Sequence, residues 1–222
     1  MDIPAAWSFS AYKDFVNCPK KYYHTRVAQD VVSEPHPTAI AGNRIHKALE
    51  NAVRDGTPLP EALREGLDKY VTQVINMRGE KLVEHQLAVT ADLDPCGFHD
   101  EVRWWRGIAD VLVIDGRRAF VLDWKTGAST RFADTDQLEI LAAGVMVHWP
   151  GIERVDGALI FTTLDVPIPM PRLHRAQLPD VWRKWQRNLH PLQVAFETGM
   201  WNTRKSGLCR FCPVRDCIHH PG

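Results

Sequence analysis

VLDWKTG, residues 121–127, decides how this chain is read. Val121 and Leu122 have the look of a buried strand, and Asp123 and Lys125 then flank Trp124. Successive side chains of a strand alternate faces, so residues two apart share one. Asp123 and Lys125 therefore stand side by side, opposite Trp124, where the strand leaves an apolar run. One acid-x-Lys triplet is common and can be a simple ion pair. Its neighbours decide between that and a reactive site.

Upstream, RWWRGIADVLVI and RAFVLDWK read as two strands joined at Asp115-Gly116, a strong hairpin signal. The turn brings the strands back antiparallel. Asp110 and Asp123 then arrive at the same end of adjacent strands. Two carboxylates so placed repel each other unless a cation lies between them, and buried charge in core strands is expensive without a compensating partner. Hard oxygen donors in small number suit Mg²⁺ or Mn²⁺, completed by water and phosphate. The Lys125 ammonium can orient a metal-bound water or stabilise charge on that phosphate.

Around this hairpin the pattern gives helices first: one capped by Ser8 or Ser10 through about Asn17, a short one after CPKKYYH, one over 38–54 stopped near Gly56, and one started by Pro60. KLVEHQLAVT precedes the hairpin as a further strand. Residues 135–147 form a helix with Thr135 or Asp136 as cap, RVDGALIFTTL a buried strand, and 178–199 a long helix kinked at Pro191. The fold class is α/β, with a mixed sheet and helices packed on it. The 222 residues suit one domain: an N-terminal helical part over 1–80, a sheet core over 81–165 and a C-terminal helix with a cysteine tail over 166–222.

Hydrophobic residues make up 45% of the chain, enough for a real core, and no run approaches the ~20 apolar residues of a membrane span. The start, MDIPAAWSFSAYKDF, lacks a basic region followed by an apolar one, so the expectation is a cytoplasmic protein, in a host cytoplasm if phage-encoded. Net charge is zero but uneven. Residues 172–222 carry nine Lys and Arg against three acids, which leaves the tail at +6 and the rest at −6. A basic tail beside an acidic body can hold a polyanion near a carboxylate site, or be an ordinary solvated helix face.

The tail reads CRFCPVRDC, with Cys209, Cys212 and Cys217; Cys18 lies far upstream in NCPKKYY, and Cys96 is isolated. Three thiols plus one suit zinc or a [4Fe–4S] cluster better than a disulfide framework in a reducing compartment. Trp182 and Trp185 are three apart among Arg183, Lys184 and Arg187. They form an apolar stripe with the basic residues outward, or a surface on which bases stack. Lys20, Lys21 and Tyr22 make a second candidate DNA surface.

The ordered set of motifs resembles the PD-(D/E)XK nuclease superfamily, and within it the RecB-like exonuclease branch. GNRIH supplies His46 on a helix, KLVEHQL supplies Glu84, GIAD supplies Gly107 and Asp110, DWK supplies Asp123 and Lys125, and DQLEIL supplies Gln137. The likeness covers about residues 8–217. It departs from the family's Gln-x-x-x-Tyr at Leu141, which stands where the tyrosine belongs. The resemblance implies a restriction-endonuclease-like core in which His46, Asp110, Asp123 and the Trp124 carbonyl hold Mg²⁺ or Mn²⁺. Lys125 positions the attacking water, and a 5′-phosphate is left. Glu84 supports the site, contacts metal-bound water, or pairs with an arginine. Gln137 contacts DNA or the site.

SFSAYKDFVNCPKKYY with the terminal cysteines is similar to the iron–sulfur staple of AddB-type and CRISPR-associated RecB-like nucleases. There the cluster joins Cys18 to Cys209, Cys212 and Cys217 and so ties the N-terminal segment to the tail; structural Zn²⁺ is the alternative. The implied activity is exonuclease action on single-stranded DNA in phage or CRISPR-related processing or recombination. A helicase, recombinase or CRISPR adaptation protein would be the partner. A structure-specific endonuclease and a non-catalytic DNA-binding or assembly module remain open.

Overall fold

The computed structural model describes residues 6–32, 37–131 and 133–221. The first five residues, part of the stretch read above for a leader, lie outside them. The backbone divides into two compact units, His36–Trp182 and the pair of segments Met1–Pro35 with Arg183–Gly222.

The first unit holds the sheet. Two helices come before it, α3 (Pro37–Asp55) and α4 (Glu61–Asn76); α1 and α2 belong to the other unit. Pro60 stands at the N-cap of α4, where its missing N–H is no loss. Strands β1 (Glu80–Thr90), β2 (Arg103–Asp115) and β3 (Arg118–Lys125) follow as an antiparallel meander, with Gly116 at φ +59 in the tight β2–β3 turn. After helix α5 (Asp136–His148), strand β4 (Arg154–Phe161) pairs parallel with β3. A crossover of this length is what a parallel pair requires. Strands β5 (Val166–Pro169) and β6 (Leu173–His174) both pair antiparallel with β4 and complete a mostly antiparallel six-stranded sheet flanked by helices.

Periodicity explains the packing. Helix α4 buries Leu67, Tyr70, Val71 and Val74 at helical spacing, and α3 buries Leu49 and Ala52. They pack with Val111 and Val113 of β2 and with Leu122 and Trp124 of β3 in one apolar cluster. Helix α5 is apolar all round, with every residue from Ile140 to Met146 buried. Trp104 and Trp105 are both buried, as is Trp182, whose ring lies edge-on to Trp104.

Local chemistry starts the second unit: Ser8 Oγ accepts from the Ala11 N–H at 3.2 Å and caps α1 (Phe9–Asn17). Cys18 ends α1 and precedes α2 (Pro19–Tyr22), which runs on into a π-turn over Tyr23–Val27. Within this unit Trp185 is fully buried against Trp7, Phe9 and Tyr12. Helix α6 (Leu178–Thr198) runs through Pro191 without a break. The apolar-stripe reading of Trp182 and Trp185 therefore holds, and neither ring is available to stack a base. Among the described residues no helix is long and apolar enough to cross a membrane.

Candidate active site

The sheet register builds the site. Val83 pairs with Val111 and His85 with Ala109, so Glu84 and Asp110 stand directly opposite between them. On the other side Val111 pairs with Leu122, which puts Asp123 beside Asp110 in the next strand. Three acids thus form a row across β1, β2 and β3. The ladder is interrupted where they stand: no Glu84–Asp110 pair forms, and Glu84 has φ +52. A left-handed glutamate inside a strand costs about 1–3 kcal/mol, and such strain gathers at functional sites. Nothing in the glutamate's sequence neighbourhood announces it.

Helix α3 brings the fourth group. His46 Nδ1 lies 3.5 Å from Asp110 Oδ2, and donor atoms of His46, Glu84 and Asp110 all fall within 4.8 Å of one another. The placement of α3 depends on Gly42, one turn before His46. A Cβ at Gly42 would come 2.7 Å from Thr126 Oγ1, so a side chain there must displace either that hydroxyl or the helix from the end of VLDWKTG.

Electrostatics sets the protonation states. Burial, then the Asp123 charge, pushes the Asp110 carboxyl up to about 8, against a hydrogen bond from the Trp124 N–H to Asp110 Oδ2 at 2.7 Å. Burial and the nearby Glu50 charge raise Glu84. Burial lowers His46, which keeps the imidazole neutral and able to donate a lone pair, although the Asp123 charge and a hydrogen bond with the Trp124 backbone pull the other way. Two crowded acids, both raised by burial, beside an imidazole that burial keeps neutral form an oxygen-rich donor set whose repulsion a divalent cation would relieve. These residues fit Mg²⁺ or Mn²⁺.

Asp123 and Lys125 face away from Trp124, as alternation requires, and meet α5. Asp123 Oδ2 is 2.7 Å from Lys125 Nζ, an ion-pair distance without a well-angled hydrogen bond. Gln137, at the start of α5, joins the two: its Nε2 donates to Asp123 Oδ1 and its Oε1 accepts from Lys125 Nζ at 2.6 Å. The Lys125 carbonyl accepts from the Thr162 N–H at 2.8 Å and from its hydroxyl at 3.1 Å. Sequence reading passed over Thr162 and Gly42. The thread to Gly42 was its place four residues before the helical histidine; Thr162 sits in a Phe-Thr-Thr strand end with no comparable signal. Leu141, in the tyrosine position, is buried and packs where a Cβ on Gly107 would meet its Cδ2 at 2.9 Å, so this position faces the sheet.

Within the second unit, Cys18, Cys209, Cys212 and Cys217 all line one small cavity of about 60 Å³. Among the described residues no three of their sulfurs come within 4.8 Å of one another. The Ser206 N–H donates to Cys209 Sγ at 3.3 Å. Cys96 lies apart, in the other unit. Of the expected DNA-contacting residues, Arg183 and Arg187 are exposed while Lys20, Lys21 and Lys184 are half-buried. Tyr22 is buried, stacked on Trp201 and edge-on to Phe15, and presents no ring to solvent.

Solved structures with similar folds share little sequence with this chain. A crystal structure of a candidate exonuclease from Eubacterium rectale is 14% identical, covers 98% of this chain and 90% of its own, and superposes with a TM-score of 0.56. SSO0001, also 14% identical, covers 100% of this chain and 90% of its own at a TM-score of 0.45, too low to establish a shared topology. No curated protein matches the chain. The profile of the PD-(D/E)XK nuclease superfamily, by contrast, matches residues 6–217. With nearly its whole length covered, the chain belongs to the PD-(D/E)XK nuclease superfamily.

Proposed function

We propose that the chain is a Mg²⁺- or Mn²⁺-dependent deoxyribonuclease that removes nucleotides from the ends of single-stranded DNA. The observation that carries this reading is the convergence of His46, Glu84 and Asp110 within 4.8 Å, beside the Asp123–Lys125–Gln137 cluster. His46, Asp110, Asp123 and the Trp124 carbonyl would hold the cation, with Glu84 at its edge. A bound divalent cation supplies Lewis acidity and neutralises the acids. The remaining work falls to side chains. Lys125 donates to the scissile phosphate or to the attacking water and balances charge that builds up there. Gln137 holds the Lys125 ammonium and the Asp123 carboxylate in fixed relation, so neither must be ordered during the reaction. Glu84 accepts hydrogen bonds from water at the edge of the site.

Both units serve this one nuclease domain of 222 residues. The four cysteines hold a [4Fe–4S] cluster. The support is that all four cysteines line one cavity, and a backbone N–H to Cys209 Sγ is a contact that tunes such clusters. Action in the cytoplasm with a helicase, recombinase or CRISPR adaptation partner accords with the absence of a Walker loop from the sequence.

End-labelled linear single-stranded DNA with Mn²⁺ or Mg²⁺ tests the reading. Wild type degrades it from an end, and Asp123→Ala loses at least ~10³-fold in rate. Internal cuts in closed circular DNA would move the assignment to an endonuclease. Binding without any cleavage, under either metal, would leave only the non-catalytic module.

A further inference from the structure

The unit formed by the N-terminal helices and the tail carries a second cavity, separate from the cysteine-lined one. It is a groove of about 570 Å³ between α1, the later turns of α6 and the segment 200–204. Phe15, Pro191, Val194 and Met200 give it an apolar lining, and Met200 is 61% exposed. Arg187 and Arg204 stand on its polar side, and no acidic residue lines it. Arg204 is anchored by donation to the Val16 carbonyl, and the Lys20 N–H donates to the Asn202 carbonyl at 3.1 Å, so the wall is fixed to the helices it faces. Arg187 has no acidic partner among the described residues. Pro191 has no N–H, so the Arg187 carbonyl one turn earlier loses its usual helical donor.

We propose that this groove binds a nucleotide unit of single-stranded DNA, with the phosphate against Arg187 and Arg204 and the base on the apolar lining. The volume lies in the range of sites for molecules of nucleotide size. Two guanidiniums without a carboxylate select an anion. Asn188 and Asn202, which also line the groove, are polar residues suited to a sugar or base edge. A continuous strand, rather than a free nucleotide, is the occupant, because the proposed nuclease acts on polymeric DNA and the exposed Arg187 and Arg204 can meet successive phosphates of it. The assignment rests on the nuclease reading for its substrate class and adds a strand-holding site built from none of the acids' residues.

The test is binding of a fluorescent 15-nucleotide oligo(dT) to the full chain without added divalent metal, read by anisotropy over a salt series. Arg187→Glu weakens binding about tenfold or more and lowers the salt slope by about one, and Arg187→Lys retains most of the affinity. Arg210→Glu, an exposed charge that does not line the groove, is the control and changes affinity far less. An equal loss in both variants, or none with Arg187→Glu, overturns the groove and reduces the tail to a diffuse positive surface. Mononucleotide dTMP competes only weakly. If it binds as tightly as the oligonucleotide, the strand assignment is overturned in favour of a free nucleotide. Cleavage in Mn²⁺ with binding indifferent to Arg187 would sink the groove and keep the nuclease. Groove-dependent binding without cleavage would do the reverse.

Discussion

Between Glu84 and Lys125 the polar groups sit on adjacent strands, and the ladder pairs beside the acids, Val83 with Val111 and Val111 with Leu122, hold them in a row. The four cysteines at 18, 209, 212 and 217 sit instead at a helix junction, in a single 3₁₀ turn and in two loops, where their backbone hydrogen bonds are local turn contacts rather than a strand ladder. The acids are forced together by a scaffold that is complete without them and would be more stable if they were neutral. The thiols have no such scaffold, so the proposed cluster would have to supply the order. Substitutions should therefore behave in opposite ways: losing an acid removes activity and leaves the fold, and losing a thiol loosens the fold first.

The largest effect expected on stability comes from the cysteines. Cys209→Ser removes one donor of the proposed cluster and should cost about 3–5 kcal/mol, since ligand binding in such sites is folding free energy. Hydrogen exchange would localise it. Amide protection over 9–22 and 185–198 falls, and that of β1 to β4 is unchanged. A loss near ~1 kcal/mol spread evenly over the chain would mean that the thiols are only packed side chains, and the contrast between the two regions would fail.

The acids give the opposite sign. In metal-free protein Asp110 keeps its proton up to about pH 8, whereas an unfolded aspartate releases it near 3.8. The folded state thus binds the extra proton between those values, and stability is full at low pH and drains away as pH rises toward 8. Asp110→Asn cannot ionise, and its amide oxygen can still accept from the Trp124 N–H. With a chelator present, the variant should match wild type near pH 4 and exceed it by a few kcal/mol at pH 8, on the order expected for a buried charge without a counter-ion, while losing nuclease activity. Urea titrations at the two pH values decide it. Equal stability of the two proteins at pH 8 would mean that Asp110 is already satisfied, with Lys125 closer to it than the register indicates.

How much of this was legible follows from the same contrast. The Asp115-Gly116 signal brought Asp110 and Asp123 to the same end of adjacent antiparallel strands, while the register that sets them opposite comes from Asp115 pairing with Arg118 around Gly116 and Arg117, one residue later than an Asp-Gly turn would place it. The α3 histidine and the Gln137 helix could be named but not aimed. Their distances to the acids depend on how helices dock, which no local pattern encodes. Strands β5 and β6 escaped notice because they are short and β5 holds Pro167 and Pro169, residues that mark an edge and weaken the strand signal. The left-handed backbone at Glu84 was invisible, since strain is imposed by the surrounding ladder and not by the glutamate. Burial of Tyr22 likewise depends on Trp201, 179 positions away, and no window of sequence around CPKKYYH contains it.

Gly42 carries the smallest and sharpest prediction, because it separates docking from chemistry. The site needs α3 close enough for His46 to reach Asp110, and that approach is limited by one contact with the Thr126 hydroxyl. A Gly42→Ala methyl gains helix propensity of nearly 1 kcal/mol and pays it back against Thr126, so stability should change by no more than about 1 kcal/mol. Metal affinity, measured by Mn²⁺ titration, should nevertheless fall about tenfold, since moving His46 outward removes a ligand from reach without touching an acid. Thr126→Ala in the same chain removes the clashing hydroxyl and should return most of that affinity. If the double variant stays as weak as Gly42→Ala alone, the helix is held off by something other than Thr126. If the single variant binds Mn²⁺ as wild type does, His46 is a neighbour of the metal and not one of its ligands, and the metal is held by the acids and the Trp124 carbonyl alone.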